Sequence, residues 1–172
     1  MDIIQSSGKL IFDPINRTKK HNKQSSWKRT AMIVINDDTY QYYQWLIEKR
    51  FPFIQGVKGD TNWLNPPLRG SHVTIINDKI NTENFTEQNY NKAKKLYNGK
   101  EIFFFFNWEG LRNNGEHIYF KVECPMGMEI RKTAGLSKPY FDFHITIGLV
   151  PKESEIKKKH LLNVQNYMIK NY

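Results

Sequence analysis

Residues 72–76 read His-Val-Thr-Ile-Ile, and residues 144–148 read His-Ile-Thr-Ile-Gly. The same short phrase stands twice, 72 positions apart (144 minus 72). Side chains alternate across a β-strand, so the His and the Thr of each phrase share one face, and the β-branched residue between them takes the other. With five His and nine Thr in 172 residues, about 0.3 His-x-Thr triplets arise by chance, so two are expected in roughly one such chain in thirty. The β-branched context narrows this further. A fold that brings the two strands together would set two imidazoles and two hydroxyls around one small space.

That set of groups suits the cutting of a phosphodiester. One histidine removes a proton from the attacking hydroxyl or water, and the other protonates the leaving oxygen. The threonine hydroxyls hydrogen-bond the non-bridging oxygens, where transition-state charge collects. An unperturbed imidazole pKa of about 6.5 lets either protonation state serve near neutrality. A lone histidine on an apolar strand is ordinarily a packed residue, and it is the pairing that lifts these two above that reading. A metal site is the weaker alternative. The spacing is poor for ligands, and the sequence holds no cysteine pair and no HExxH helix. Asp142 shares the His144 face and is a candidate to orient that ring, but Gly70 stands at the equivalent place before His72.

Charge and composition limit the partners. Twenty-six basic against 17 acidic side chains leave a net +9, which favours polyanions such as nucleic acid or nucleotides. Apolar residues are 39% and aromatics 14% of the chain, enough for a real core. No apolar run approaches the roughly 20 residues that cross a bilayer, and no basic leader precedes an apolar stretch at the start. Cys124 is the sole cysteine, so a reducing cytoplasm is the expected setting. The sequence points to no membrane and no obligate protein partner.

Strands are expected at 8–13, 27–36, 71–77 and 142–150, with helices over 37–51 and 125–135. Residues 100–110 and 115–124 read as two strands joined around Leu-Arg-Asn-Asn-Gly, where Asn-Gly favours a turn. Residues 81–99 are left between a short helix and a loop, and residues 151–172 suggest a last helix. Phe103 to Phe106 cannot share a face, so two are expected under the sheet and two against a helix. The order strand–helix–motif strand occurs twice, which argues for α+β with mainly antiparallel sheets.

Two His-[Val/Ile]-Thr motifs, each on an apolar strand and half a small chain apart, resemble the 2H phosphoesterase superfamily. The resemblance implies a bilobal fold over residues 1–172, with two mainly antiparallel sheets around a central cleft and helices outside. It implies His72, Thr74, His144 and Thr146 as the catalytic set, with no cofactor and no metal. It also implies chemistry on cyclic phosphates or RNA-like phosphodiesters. The compact size, the lack of targeting signals and the lysine- and asparagine-rich style are similar to phage members of that superfamily that destroy cyclic oligonucleotide alarm signals (anti-CBASS), and the stretches "YYQWLIEKRF", "NPPLRGSHVTI", "VECP" and "FHITIG" resemble a set of uncharacterised phage-associated 2H proteins. A cyclic oligonucleotide is therefore the first candidate substrate, and the setting would be the host cytoplasm if the chain is phage-encoded. An RNA 2′,3′-cyclic phosphodiesterase and a non-catalytic nucleotide or RNA sponge are the alternatives.

Five further residues are candidates to bind such a substrate. Lys28, Arg29 and Arg69 could reach a phosphate, and Trp63 and Tyr140 could stack on a base. Each has an ordinary reading beside this one: solvent-exposed cations and packed aromatics are common. Phe141 reads as core.

Overall fold

The structure, a computed structural model, describes residues 2–14, 29–35, 38–50, 64–67, 70–77 and 85–149. Seven strands and three helices run in the order β1 (Ile4–Phe12), β2 (Ala31–Val34), α1 (Thr39–Arg50), β3 (His72–Ile76), α2 (Glu87–Tyr97), β4 (Glu101–Phe106), β5 (Leu111–Asn113), β6 (His117–Lys121), α3 (Pro125–Thr133) and β7 (His144–Leu149). The expected α+β class holds. Every ladder is antiparallel. The two expected sheets run together as one seven-stranded sheet ordered β4-β1-β2-β3-β7-β6-β5, because the motif strands themselves pair, with Val73 opposite Ile145. A bridge between Phe105 and Glu123 ties β4 to the chain just after β6, so the sheet curls until its ends meet.

Local sequence explains the elements. β3 and β7 carry their β-branched residues inward: Val73, Ile75, Ile145 and Ile147 are fully buried, and His72, Thr74, His144 and Thr146 are only partly so. Thr86 caps α2 by accepting the Asn89 N–H at 3.2 Å, which satisfies one of the free amides of the first turn. Pro125 opens α3, where its missing N–H costs nothing. α3 lies close against β3: a Cβ added at Gly127 would come within 3.0 Å of Ile75 Cδ1. On the same buried face, Tyr43 of α1 packs edge-to-face on Phe106 and Phe120. Both helices thus cover one face of the sheet, and among the described residues neither lies over the histidine face.

Several expectations need correction. β4 and β6 do not form a hairpin. β4 pairs with β1, and the Asn-Gly turn instead joins the short β5 to β6. Phe104 and Phe106 are buried, but Phe103 is 49% exposed, and no helix covers that face of β4 among the described residues. Phe141 is 68% exposed and is not a core residue. Its place in the core is taken by Phe143, which has the same parity on the strand. Within the region 81–99, Glu87–Tyr97 form a helix, α2. The suggested helix after residue 150 lies outside the described residues.

Two devices hold the layers in register. Arg131 of α3 is buried; its Nε–H donates to Ser137 O and its Nη1–H to Ile75 O, at 2.9 and 2.8 Å. Burial pulls this guanidinium below its ordinary pKa. Asp13 ties the β1–β2 corner to α2. Its Oδ1 accepts the Arg29 N–H and the Tyr90 hydroxyl, and its Oδ2 accepts Lys94 Nζ. Burial alone would raise the Asp13 carboxyl, but the hydrogen bonds from Lys94, Tyr90 and Arg29 outweigh it and hold the pKa below the usual carboxylate value.

Asp13→Ala is expected to cost about 1–3 kcal/mol, the usual range for losing hydrogen bonds to a charged acceptor. Because the folded pKa is depressed, this stabilisation is complete above the unfolded value of about 3.9 and fades as pH falls through the folded value. Urea unfolding of both proteins should show a gap at pH 7 that narrows by pH 2. A gap equally wide at both would contradict it.

Candidate active site

The ladder between β3 and β7 assembles the site. Val73 stands opposite Ile145, and continuing that antiparallel register sets His72 across from Thr146 and Thr74 across from His144. Directly opposed residues hold their Cβ atoms about 4.5–5.5 Å apart. The two phrases are therefore related by an approximate twofold axis between Val73 and Ile145, and each histidine has the other phrase's threonine as neighbour.

The twofold extends into backbone detail. In β3 the pairing with β2 slips after Thr74: Met32 faces Thr74 and Ala31 faces Ile76, so Ile75 is the extra residue of a bulge. In β7 the pairing with β6 slips after Thr146: Tyr119 faces Thr146 and Ile118 faces Gly148, so Ile147 is extra. A bulge bends its strand and re-aims the side chains beside it. Both motif strands carry it at the residue after the threonine. Arg131 clamps the bulge carbonyl of Ile75 in β3.

Each imidazole is anchored in the same way. His72 Nδ1 lies 3.0 Å from Gly70 O, and His144 Nδ1 lies 3.0 Å from Asp142 O. A carbonyl only accepts, so Nδ1 carries the proton in both rings and Nε2 is the nitrogen left for proton exchange. The orienting group expected of the Asp142 carboxylate is in fact its backbone carbonyl, and Gly70 supplies the counterpart that the sequence seemed to lack. Gly70 has φ +70°, a conformation glycine adopts without strain. The Asp142 carboxylate instead meets Lys121 Nζ at 2.9 Å. That hydrogen bond, against a small opposing effect of burial, holds its pKa below the usual value.

Residues not singled out in the sequence complete the open face. Tyr119, across from Thr146, brings its ring to 5.1 Å from the His144 ring, centroid to centroid. Lys121 stands across from His144. Nothing in the sequence near either motif marks them, since only the ladder register brings β6 alongside β7. Of the candidate binding residues, Tyr140 is 78% exposed four positions before His144, with its ring edge-to-face on Phe141 at 4.7 Å. Arg29 sits beyond the Ala31 end of β2 and is exposed, with its N–H on Asp13. Lys28, Trp63 and Arg69 lie outside the described residues.

Nitrogen-15 NMR at pH 8 is expected to show both His72 and His144 as the Nδ1–H tautomer, the minority form in free histidine. Finding Nε2–H in either ring would overturn the carbonyl anchoring.

Residues 48–154 match the family described as Swiss Army Knife, 2H phosphoesterase domain. That span covers more than half of the chain and includes both motif strands, α2, α3 and the β4–β6 segment between them. No curated protein and no solved structure matches the chain. Among the described residues no helix is long and apolar enough to cross a membrane. With its paired His-x-Thr strands and the family match in agreement, the chain belongs to the 2H phosphoesterases and is an enzyme of the phosphodiesterase class.

Proposed function

We propose that residues 1–172 form one bilobal domain that cleaves a small nucleotide phosphodiester, with a cyclic oligonucleotide signal as the substrate and phage anti-defence as the setting. The observation that carries the reading is the twofold pairing of the two His-x-Thr phrases, each imidazole presenting Nε2. The net +9 suits a polyanionic ligand, and the resemblance to phage members supports the cyclic oligonucleotide.

In this reading His72 and His144 are the acid–base pair. One Nε2 takes the proton of the 2′-hydroxyl as O2′ attacks phosphorus. The P–O5′ bond breaks, and the other Nε2–H protonates O5′. The products are a 2′,3′-cyclic phosphate and a free 5′-hydroxyl, so a ring of 3′–5′ links is opened. Thr74 and Thr146 donate hydroxyl hydrogens to the two non-bridging oxygens as charge builds there. On a substrate that is already a 2′,3′-cyclic phosphate, water attacks and a ribose oxygen leaves, with the same proton transfers. RNA ends of that type are the second reading, favoured by the same four residues.

The test is chromatographic turnover, in excess EDTA, of cyclic di- and trinucleotides, 2′,3′-cyclic mononucleotides and short RNA. His72→Ala and His144→Ala are each expected to lose roughly 10²-fold or more in rate while staying folded, the usual worth of a general acid or base. Asp142→Asn keeps the carbonyl that holds His144 and is expected to lose roughly tenfold or less, well short of losing a catalyst. Tight binding of one nucleotide without turnover would instead establish a sponge.

A further inference from the structure

The motif residues obey the twofold axis, and their neighbours break it. On the His72 side, Val34 faces His72, Met32 faces Thr74, and Gly70 supplies the anchoring carbonyl. On the His144 side the equivalent places hold Lys121, Tyr119 and Asp142. Among the described residues, the strand neighbours of the His72 phrase are apolar and uncharged. The His144 side carries an ammonium, a phenol and a carboxylate. A symmetric phosphodiester core is thus flanked by two unlike walls.

The polar wall opens onto a cavity. Lys121 lines a pocket of about 130 Å³ together with Ile3, Phe105, Asn107 and Glu123, at the seam where the ends of the sheet meet. Ile3 and Phe105 give it apolar sides. The Asn107 side-chain oxygen accepts the Gly110 N–H, so what Asn107 can offer a ligand is N–H donors. The Glu123 carboxylate accepts hydrogen bonds and repels anions. Such a pocket is poor for a phosphate and well matched to a flat heterocycle with N–H donors on its edge. Lys121 stands between this pocket and His144. An ammonium has three donors; Asp142 takes one, in an exposed ion pair of the weak kind, so Lys121 can also receive a phosphate oxygen.

We propose that the β6 side of the site is a subsite for the neighbouring nucleotide: Lys121 receives its phosphate and the pocket beside Lys121 receives its base. The inference rests on the phosphodiesterase reading and adds to it that the substrate is at least a dinucleotide, with its second nucleotide extending past His144 and not past His72.

The test compares kcat/KM for a nucleoside 2′,3′-cyclic phosphate with that for a dinucleotide ending in the same group. Wild type is expected to prefer the dinucleotide by tenfold or more. Lys121→Gln, and Ile3→Glu at an exposed position, should each bring the ratio close to one. A wild-type ratio near one overturns the subsite. So does Lys121→Gln lowering both substrates equally, which would put Lys121 on the scissile phosphate. Calorimetric binding of the two ligands to His72→Ala separates the subsite from the chemistry. A dinucleotide preference there upholds the subsite even if wild type turns over neither ligand, and equal affinities refute it.

Discussion

The pairing of β3 with β7 is the contact on which the rest of this protein depends. Each motif strand already has a partner on its other side, β2 for β3 and β6 for β7. Joining them merges two small sheets into one and fuses two half-sites in the same step. The bonds that do this are backbone hydrogen bonds, largely indifferent to side chains. The buried Val73, Ile75, Ile145 and Ile147 then fix which face turns outward, because a one-residue slip would send every histidine inward. Which side chains the two motifs turn outward is therefore set by hydrophobic parity.

Much of this was legible in the sequence because the spacing of the motif equals the period of a strand. His-x-Thr within an apolar run declares one exposed face, and writing it twice declares a pair. Helix α1 was legible because Tyr43 and Ile47 recur at helical spacing, and both are buried; helix α3 was legible because Pro125 suits a first helical position. What stayed hidden has no side-chain letter or no local signal. The imidazole anchors are carbonyls of Gly70 and Asp142, and a carbonyl is present at every residue. Tyr119 and Lys121 reach the site through the register of β6, which is a tertiary fact. β4 reads as the natural hairpin partner of the next strand, yet it pairs across the chain with β1, since Phe104 and Phe106 find a core there. Phe141 and Phe143 differ by one strand period, and composition alone cannot say which of such a pair is inside.

The site also shows how a symmetric frame acquires direction. Two histidines in equivalent settings could exchange the roles of acid and base. In the proposed reaction, unlike neighbours, Val34 and Met32 against Lys121 and Tyr119, would give substrate one preferred way to lie, and that orientation would then assign the roles. The anchoring of both rings through Nδ1 fits this arrangement, since neither ring is committed in advance.

The paired bulges carry a last consequence. An extra residue after each threonine resets the alternation, so that Ile75 and Ile76 are both buried, and so are Ile147 and Gly148. Each strand is two-faced for the length of its motif and then buried for the next two residues. The open face is thereby clipped to a window three residues long on each strand, and the two positions after it answer to the core alone. Deleting one residue at either bulge would restore regular alternation and lengthen that window, and it would turn Asn77 or Leu149 toward solvent. The sharpness of the site's edge is in this sense a property of the backbone's count, independent of what any catalytic side chain does.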